Sequence, residues 1–129
     1  MPSDERTAII LYAHGARDPR WAEPFERLRA RVAAQVPECQ VVLAYLEHRE
    51  PDLSRAFRDV HRRGARRVRL VPLFFGRGGH LRDDFPKQLE EARRTAPALT
   101  IEVTEAAGEN EQVLEALATF ALEAPATPR

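Results

Sequence analysis

The chain has 129 residues, of which 43% are hydrophobic and 31% are charged. This apolar content excludes a disordered chain, and the length is typical of a single domain that buries about two-thirds of its unfolded surface. The 20 basic residues equal the 20 acidic residues, so the chain lacks the basic excess that a general nucleic-acid-binding protein requires. The single cysteine, Cys39, excludes a disulfide framework and a CxxC zinc site.

The hydropathy of the chain predicts a cytoplasmic protein that makes no contact with a membrane. Its longest apolar runs, such as residues 70–75, are much shorter than the roughly 20 residues needed to span a bilayer. Charged residues occupy positions 4–6, where the apolar stretch of a signal peptide would begin. We expect residues 1–123 to form one α/β domain and residues 124–129 to form a flexible C-terminal tail.

Four short apolar runs alternate with amphipathic stretches along the chain. The runs predict β-strands at residues 7–13, 40–46, 67–75 and 100–104. Proline lacks the N–H that a central strand donates, so Pro72 predicts a local irregularity near the end of the third strand.

Each amphipathic stretch predicts a helix. Asp18 is the expected N-cap of the first helix and Pro19 its first residue. Pro51 opens the second helix, and Gly64 caps its C-terminal end. Asn110 caps the fourth helix, whose apolar positions are expected to face the core: Val113, Leu114, Leu117 and Phe120.

The alternation of strands and helices predicts an α/β fold, a doubly wound four-stranded parallel sheet with helices on both faces. The expected strand order is 2-1-3-4, in which the direction of winding switches between strands 1 and 3. Ligands of such sheets bind beyond the carboxyl ends of the strands at that switch point. The loops after strands 1 and 3 are therefore expected to carry chemically unusual residues.

These loops carry histidines. His14 follows strand 1 directly, His80 ends the glycine-rich turn after strand 3, and Glu47 closes strand 2. One histidine after a strand is more often a hydrogen-bonded loop residue than a ligand. Two histidines and a carboxylate that the topology brings to one crevice instead favour a functional site. We interpret His61, near the end of the second helix, as a surface residue. His48 is interpreted as peripheral, because strand alternation directs its side chain away from that of Glu47.

The three residues form a donor set of two imidazoles and one carboxylate. Such a set suits iron, cobalt, nickel, copper or zinc rather than calcium or magnesium. With only three protein ligands, positions on the ion stay open for water or substrate. The histidines can also accept protons near neutral pH. Arginines in the same loops would attract a polyanionic ligand: Arg17, Arg77 and Arg82.

The glycine-rich turn at residues 76–79 matches no nucleotide-binding motif. The lysine and serine or threonine of the Walker pattern are missing, and Leu81 occupies the third glycine position of a dinucleotide fingerprint. We interpret Gly76, Gly78 and Gly79 as residues that let the backbone approach a large ligand closely or let the chain turn with positive φ. Three aromatic residues are expected in the core, although any of them could also wall a flat ligand: Trp21, Phe74 and Phe75.

Three segments of the chain resemble one protein family. The sequences HGARD after strand 1, LEHREP after strand 2 and VPLFFGRGGHLRDDFP after strand 3 are similar to motifs of the short-form sirohydrochlorin chelatases. These are the small class II chelatases of the sirohaem and cobalamin pathways. The motifs occur in the same order, and the resemblance runs over about the whole chain. It implies a chelatase-like fold and a lyase that inserts a divalent metal into sirohydrochlorin without nucleotide hydrolysis.

The resemblance also implies roles for individual residues. His14 and His80 match the family's metal-binding and proton-accepting histidines, and Glu47 matches its active-site acid. Ala16 stands where relatives often carry serine or threonine, which removes a hydroxyl that could bond to His14. Co²⁺ is the favoured metal and Fe²⁺ insertion for sirohaem the alternative; the ion is a co-substrate, and no cofactor is expected to stay bound. Because longer relatives contain two such domains, we expect a two-fold homodimer with facing crevices.

Two other functions compete with this interpretation. A histidine phosphatase would need an arginine directly before the catalytic histidine, and Ala13 occupies that position. A non-catalytic carrier of metal or tetrapyrrole would use the same pocket, and only turnover separates it from a chelatase.

Overall fold

Strands and helices alternate along the chain in the computed structural model, which describes residues 6–76 and 80–123 and, for residues 80–82, the backbone alone. The strands are β1 (Thr7–Ala13), β2 (Gln40–Tyr45), β3 (Arg67–Pro72) and β4 (Thr100–Val103). The helices are α1 (Pro19–Gln35), α2 (Leu53–Arg62), α3 (His80–Thr95) and α4 (Glu111–Leu122). A short 3-10 turn, Ala107–Glu109, precedes α4. The tail predicted at residues 124–129 lies outside the described residues.

The strands form one parallel sheet in the order β2-β1-β3-β4. This confirms the predicted α/β fold and its strand order. β1 is central, because Ile10 pairs with Val42 of β2 on one side and with Leu70 of β3 on the other. Every residue of β1 is buried. Its continuous apolar sequence follows from this position, since a central parallel strand is covered on both faces.

Helices cover both faces of the sheet, as predicted. On one face, α2 and α3 pack together over a cluster that includes Ile10, Phe57 and Leu70. On the other face, α1 supplies Trp21 and Phe25 to a second cluster on β1 and β2. Successive side chains of β1 point to opposite faces, so this one strand contributes to both halves of the core.

The strands end earlier than the sequence predicted. β3 ends at Pro72 rather than at residue 75, because proline cannot donate the next ladder hydrogen bond. The N–H of Leu73 still donates to the carbonyl of Tyr12 at 2.7 Å. β2 and β4 each end one residue before the predicted position. β3 thus ends at the proline, at the carboxyl edge of the sheet, and the irregularity expected there stays a prediction.

Side chains cap the first two helices. Oδ1 of Asp18 accepts a hydrogen bond from the backbone N–H of Arg20 at 2.9 Å, which confirms the predicted N-cap of α1. The guanidinium of Arg20 bonds to the same carboxylate and holds the pKa of Asp18 below its usual range. α2 begins after Pro51 rather than at it, because Asp52 provides the N-cap by accepting from the N–H of Arg55.

The fourth helix departs from the prediction. Asn110 caps α4 as expected, by accepting a hydrogen bond from the N–H of Val113. Leu114 is half-buried, but the other three apolar positions do not face the core of the chain: Val113 is 37% exposed, Leu117 43% and Phe120 72%. The inward orientation predicted for these three residues is therefore wrong. A periodic sequence pattern identifies the apolar face of a helix but not the surface that covers it.

Among the helices in residues 6–76 and 80–123, none combines the length and the apolar character needed to cross a membrane.

Candidate active site

The loops after β1 and β2 bring a histidine and a glutamate together. Nε2 of His14 lies 2.8 Å from Oε2 of Glu47. Backbone hydrogen bonds hold the two loops in register, because the N–H of Glu47 donates to the carbonyl of His14 at 3.0 Å and the N–H of Leu46 donates to the carbonyl of Ala13 at 2.9 Å. At 38% and 39% exposure, both side chains can be reached by a ligand. Two of the predicted site residues thus meet at the carboxyl edge of the sheet.

Gly15 permits the close approach of the two loops. Its φ is +100°, in the left-handed region that side chains disfavour. A Cβ atom at this position would also lie 1.8 Å from the carbonyl oxygen of Glu47. No side chain fits there unless one of the loops moves. The contact between His14 and Glu47 therefore requires a glycine directly after His14.

His48 lies closer to the pair than the sequence predicted. Its Nε2 is 3.8 Å from Oε2 of Glu47, the same oxygen that contacts His14. Regular strand alternation would direct the ring away, but the φ of His48 is 67°, so the backbone has left the strand conformation at this residue. The only sequence signal for this positive φ is the residue type, because histidine is among the residues that tolerate the left-handed conformation.

A hydrogen-bonded bridge ties α3 to the carboxyl ends of β1 and β2. The hydroxyl of Tyr12 donates to Oε1 of Gln88 at 2.6 Å, and Nε2 of Gln88 donates to the carbonyl of Leu46 at 2.9 Å. Burial raises the pKa of Tyr12 well above its usual range, and the carboxylates of Asp52 and Asp84 add to this effect, so the hydroxyl remains a donor. Gln88 thereby positions α3, the helix that begins at the predicted site histidine. Sequence reasoning missed this residue.

The other predicted site residues lie largely outside the described part of the chain. α3 begins at His80, but the side chains of His80 and Arg82, and the whole of Arg77, Gly78 and Gly79, are outside the described residues. Arg17 is exposed in the turn between β1 and α1. Among the side chains that the structure describes, no three His, Cys, Asp or Glu residues form a group that could hold a metal ion. A metal site with three protein ligands would therefore need a donor outside the described side chains, and the sequence predicts that His80 supplies it.

The aromatic residues near this edge divide into buried and exposed. Phe74 is 5% exposed and packs edge-on against Tyr12, and Trp21 is half-buried, packing with Phe25 against the core cluster under α1. Phe75 is 69% exposed, so the expectation that it belongs to the core is wrong. It follows β3 and precedes the glycine-rich turn. An exposed aromatic ring at this position is available to wall a flat ligand, the alternative that the sequence left open for it.

One protein-family model, CbiX, matches residues 8–124. The match covers most of the chain and includes every predicted site residue. The chain belongs to the CbiX family.

Relatives of this CbiX chain include proteins named sirohydrochlorin cobaltochelatase. The protein of Sulfolobus acidocaldarius is 29% identical over 94 residues, which cover 73% of this chain and 75% of the relative. The protein of Sulfurisphaera tokodaii is 27% identical over 115 residues, which cover 84% of this chain and 86% of the relative. These similarities confirm the family resemblance that the motifs indicated.

The solved structures that are similar to this CbiX chain include two chelatase-family proteins. A CbiX protein from Marinobacter aquaeolei VT8 matches with a TM-score of 0.78 at 32% identity, over 89% of this chain and 93% of that protein. The sirohydrochlorin chelatase SirB from Bacillus subtilis subspecies spizizenii, solved in complex with cobalt, matches with a TM-score of 0.75 at 24% identity, over 88% of this chain and 49% of SirB. This chain therefore spans about half of SirB, and the comparison confirms the chelatase-like fold.

Proposed function

We propose that this CbiX chain is a sirohydrochlorin chelatase, a lyase that inserts a divalent metal ion into sirohydrochlorin without ATP. The observation that carries the proposal is the His14–Glu47 pair, which lies at the carboxyl ends of two neighbouring parallel strands. This is the edge at which ligands bind in doubly wound sheets. The names of the relatives support the choice of substrate. The independence from ATP rests on the missing Walker pattern.

The reaction needs a group that holds the metal and a group that accepts protons. When the four ring nitrogens of the tetrapyrrole bind the ion, two pyrrole N–H bonds break and two protons leave. A neutral imidazole can ligate the ion, and once the ring nitrogens have displaced it from the ion it can accept the two protons one after the other near neutral pH, passing on the first before it takes the second. Glu47 can take a proton from His14 across the 2.8 Å contact and release it to water, since its side chain is 39% exposed.

The metal ion is a substrate in this proposal, and the ligands must give it up. We assign His14 and His80 as the residues that hold the incoming ion, with the carboxylate of Glu47 as a third donor. This donor set suits a borderline transition-metal ion. A set of three protein ligands leaves positions free, so the ring nitrogens can replace the protein ligands one after another.

The macrocycle carries many carboxylate arms, and we propose that arginines at the rim bind them. Arg17 is exposed in the loop that carries His14, and its planar guanidinium suits a carboxylate. Arg77 and Arg82 are assigned the same role from the sequence. Gly78 and Gly79 are assigned a close backbone approach to the macrocycle.

We propose Co²⁺ as the physiological metal, in cobalamin biosynthesis, because relatives of this chain are named cobaltochelatases. Fe²⁺ insertion for sirohaem is the alternative, since both ions have similar ligand preferences and the metal supply of the cell then decides. A non-catalytic carrier of tetrapyrrole or metal would use the same residues without turnover.

The decisive experiment measures metal insertion by the purified chain. Sirohydrochlorin is incubated without nucleotide and without oxygen, with Co²⁺, Fe²⁺ or Ni²⁺ in turn, and the absorbance of the macrocycle is followed. We expect multiple turnovers per chain, fastest with Co²⁺. A single equivalent bound without turnover would identify a carrier. His14→Ala should abolish insertion, whereas His61→Ala, an exposed histidine distant in sequence from the site, should not. Turnover retained by the His14→Ala, His80→Ala double variant would overturn the catalytic assignment.

We further propose that the enzyme is a homodimer. A tetrapyrrole needs a cleft of roughly several hundred Å³ with walls on two sides, and one sheet edge supplies one wall. SirB is about twice the length of the matched region, which supports a requirement for two such domains. Two copies with facing crevices would provide them. The cytoplasmic location, and the lack of nucleic-acid and membrane partners, stay predictions from the sequence.

A further inference from the structure

The amino edge of the sheet, opposite the candidate active site, carries an open cavity of about 870 Å³. This arginine cavity lies where α2 ends and where β1, β3 and β4 begin, and four arginines line it: Arg6, Arg63, Arg66 and Arg67. β1 is seven residues long and rises about 3.3 Å per residue, so roughly 20 Å separate this edge from His14. The arginine cavity is therefore distinct from the candidate active site.

Backbone hydrogen bonds fix the starts of the three strands relative to one another. The N–H groups of Arg66 and Arg67 donate to the carbonyl of Arg6 at 2.7 and 3.1 Å. The N–H of Thr100 donates to the carbonyl of Arg66 at 2.9 Å. Gly64, whose φ is +104°, turns the chain toward β3 directly after Arg63. The sheet and this turn therefore set the positions from which the arginines reach the cavity.

The described residues that line the arginine cavity carry charge of one sign, since no carboxylate is among them. Elsewhere on the described surface, arginines form ion pairs with acidic residues: Arg20 with Asp18, Arg55 with Asp59 and Arg69 with Glu102. None of the ion pairs between described residues includes Arg63 or Arg66, and both side chains are exposed. These two guanidinium groups can therefore bind an anion without first breaking an ion pair. A cleft lined by positive charge also concentrates anions around it.

The lining of the arginine cavity favours compact charge over a flat ring. Its remaining residues are Gly64, Ala98 and Thr100, so the side chains offer guanidinium groups and a hydroxyl, and no aromatic ring for stacking. A guanidinium binds two oxygens of one phosphate or one carboxylate with equally good geometry. The volume lies within the range of small-molecule sites, about 300–1,000 Å³, and is much larger than one phosphate group needs. The cavity thus fits a ligand with several anionic groups.

We propose that the arginine cavity binds a compact polyanion, a small molecule with two or more phosphate or carboxylate groups, and that Arg63 and Arg66 hold it. The inference concerns a second binding site, so it goes beyond the proposed function. It would hold equally for a non-catalytic carrier, because the residues of this cavity take no part in the proposed chemistry.

The test is calorimetric titration of the full chain with inorganic tripolyphosphate in metal-free buffer. At an ionic strength of about 0.15 M, charges more than about 8 Å apart are screened, so the heat reports on close contacts. We expect saturable binding of one tripolyphosphate per chain. The Arg63→Gln, Arg66→Gln double variant should bind with a Kd at least 10-fold higher. Citrate, titrated in the same way, tells whether the site prefers carboxylates to phosphates.

A matched control separates the arginine cavity from the overall charge of the chain. The Arg58→Gln, Arg93→Gln double variant removes the same charge from exposed positions of α2 and α3 that do not line the cavity. Its Kd for tripolyphosphate should stay within 2-fold of the wild-type value. Equal weakening in the two double variants would mean that the anion responds to net charge alone, and this would overturn the site. A wild type that binds neither tripolyphosphate nor citrate would overturn it as well.

Thermal unfolding gives a second measurement on the same proteins. Arg63 and Arg66 are exposed, so the cavity variant should fold and unfold near the wild-type temperature when no anion is added. Tripolyphosphate should raise the unfolding temperature of the wild type and of the control variant, because a ligand that binds only the folded state stabilises it. An equal rise in the cavity variant would overturn the proposal.

Metal insertion, assayed without tripolyphosphate, distinguishes this inference from the proposed function. The cavity variant should insert metal at the wild-type rate. If the wild type binds tripolyphosphate but inserts no metal, the proposed function fails and the anion site stands. Loss of insertion in the cavity variant alone would overturn the assignment of the arginine cavity as a separate site.

Discussion

Nε2 of His14 and Oε2 of Glu47 are 2.8 Å apart, although the two residues come from different strands. The contact follows from the topology, because β1 and β2 are hydrogen-bonded parallel neighbours and their loops leave at the same edge. Backbone hydrogen bonds continue one step past the strands, from Glu47 to His14, and fix the relative height of the two side chains. The pair is therefore set by the sheet rather than by a flexible loop, which is what a preorganised site requires.

The first prediction concerns the carboxylate of this pair. Glu47→Gln keeps the size of the side chain and can still bond to His14, but it cannot accept a proton or offer a negative charge to a metal ion. We expect the rate of metal insertion to fall by about 10² to 10⁴-fold, the usual contribution of a positioned proton acceptor. Folding should be unaffected, because the side chain is 39% exposed. Steady-state assays with Co²⁺ measure the effect.

Glu50→Gln is the matched control for this variant. Glu50 lies in the same loop, and its exposed carboxylate is 3.9 Å from Arg55 rather than near His14. It should insert metal at the wild-type rate. Equal losses in the two variants would mean that the charge of the loop matters, and not the carboxylate beside His14.

The second prediction concerns the glycine between the paired loops. Gly15→Ala must place a Cβ 1.8 Å from the Glu47 carbonyl oxygen in a backbone with φ of +100°, so one loop has to move. Gly64→Ala meets a similar φ of +104° with no atom within 4 Å, so it carries the conformational penalty alone, roughly 1 kcal/mol. We expect Gly15→Ala to lower the free energy of unfolding by more than Gly64→Ala and to slow metal insertion. Urea unfolding and the insertion assay measure both effects. Equal losses of stability in the two variants would show that the close contact costs nothing.

The third prediction concerns the bridge between Tyr12 and Gln88. Tyr12→Phe removes the hydroxyl and leaves the amide oxygen of Gln88 without its 2.6 Å donor. The free energy of unfolding should fall by about 1 kcal/mol near neutral pH. Because burial raises the pKa of Tyr12 in the folded state, the hydroxyl contributes fully below its unfolded pKa of about 10 and loses its contribution as the pH rises further.

The stabilities of the wild type and of Tyr12→Phe should therefore converge above about pH 10. Urea titrations of both proteins from neutral to alkaline pH measure this convergence. A stability difference that stays constant over the whole range would show that the ionisation of Tyr12 is not linked to folding. Tyr12→Phe keeps every other group that titrates at high pH. The difference in stability between the two proteins therefore reports on Tyr12 alone.

The order and topology of the elements could be predicted because they depend on local signals. Continuous apolar runs predict buried parallel strands, and caps such as Asp18 and Asn110 bond to their own helix. The pairing of His14 with Glu47 could be predicted as well, since the strand order alone brings the ends of β1 and β2 together.

The features that the sequence did not predict depend on contacts between distant segments. Gln88 bonds to Tyr12 and to the carbonyl of Leu46. Nothing in the sequence of α3 indicates that its side-chain amide will reach these two residues. His48 turned toward Glu47 because of one backbone torsion that the alternation rule does not include. Phe75 is exposed because burial alternates along residues 67–75, and this residue, beyond the end of β3, falls on the less buried side.

The last prediction concerns Phe75 as a wall for the macrocycle. Its ring is 69% exposed directly before the glycine-rich turn, and a flat tetrapyrrole can stack on it. We expect Phe75→Ala to raise the KM for sirohydrochlorin by about 2- to 10-fold, since aromatic contacts contribute about 0.5–1.5 kcal/mol, and to leave the KM for Co²⁺ unchanged. Phe75→Tyr keeps the ring face and should restore the wild-type KM. Phe74→Ala is the structural contrast, because this ring is buried and its loss should cost about 3–5 kcal/mol of stability. A Phe75→Ala variant whose KM values for both substrates match the wild type would show that the tetrapyrrole does not contact this ring.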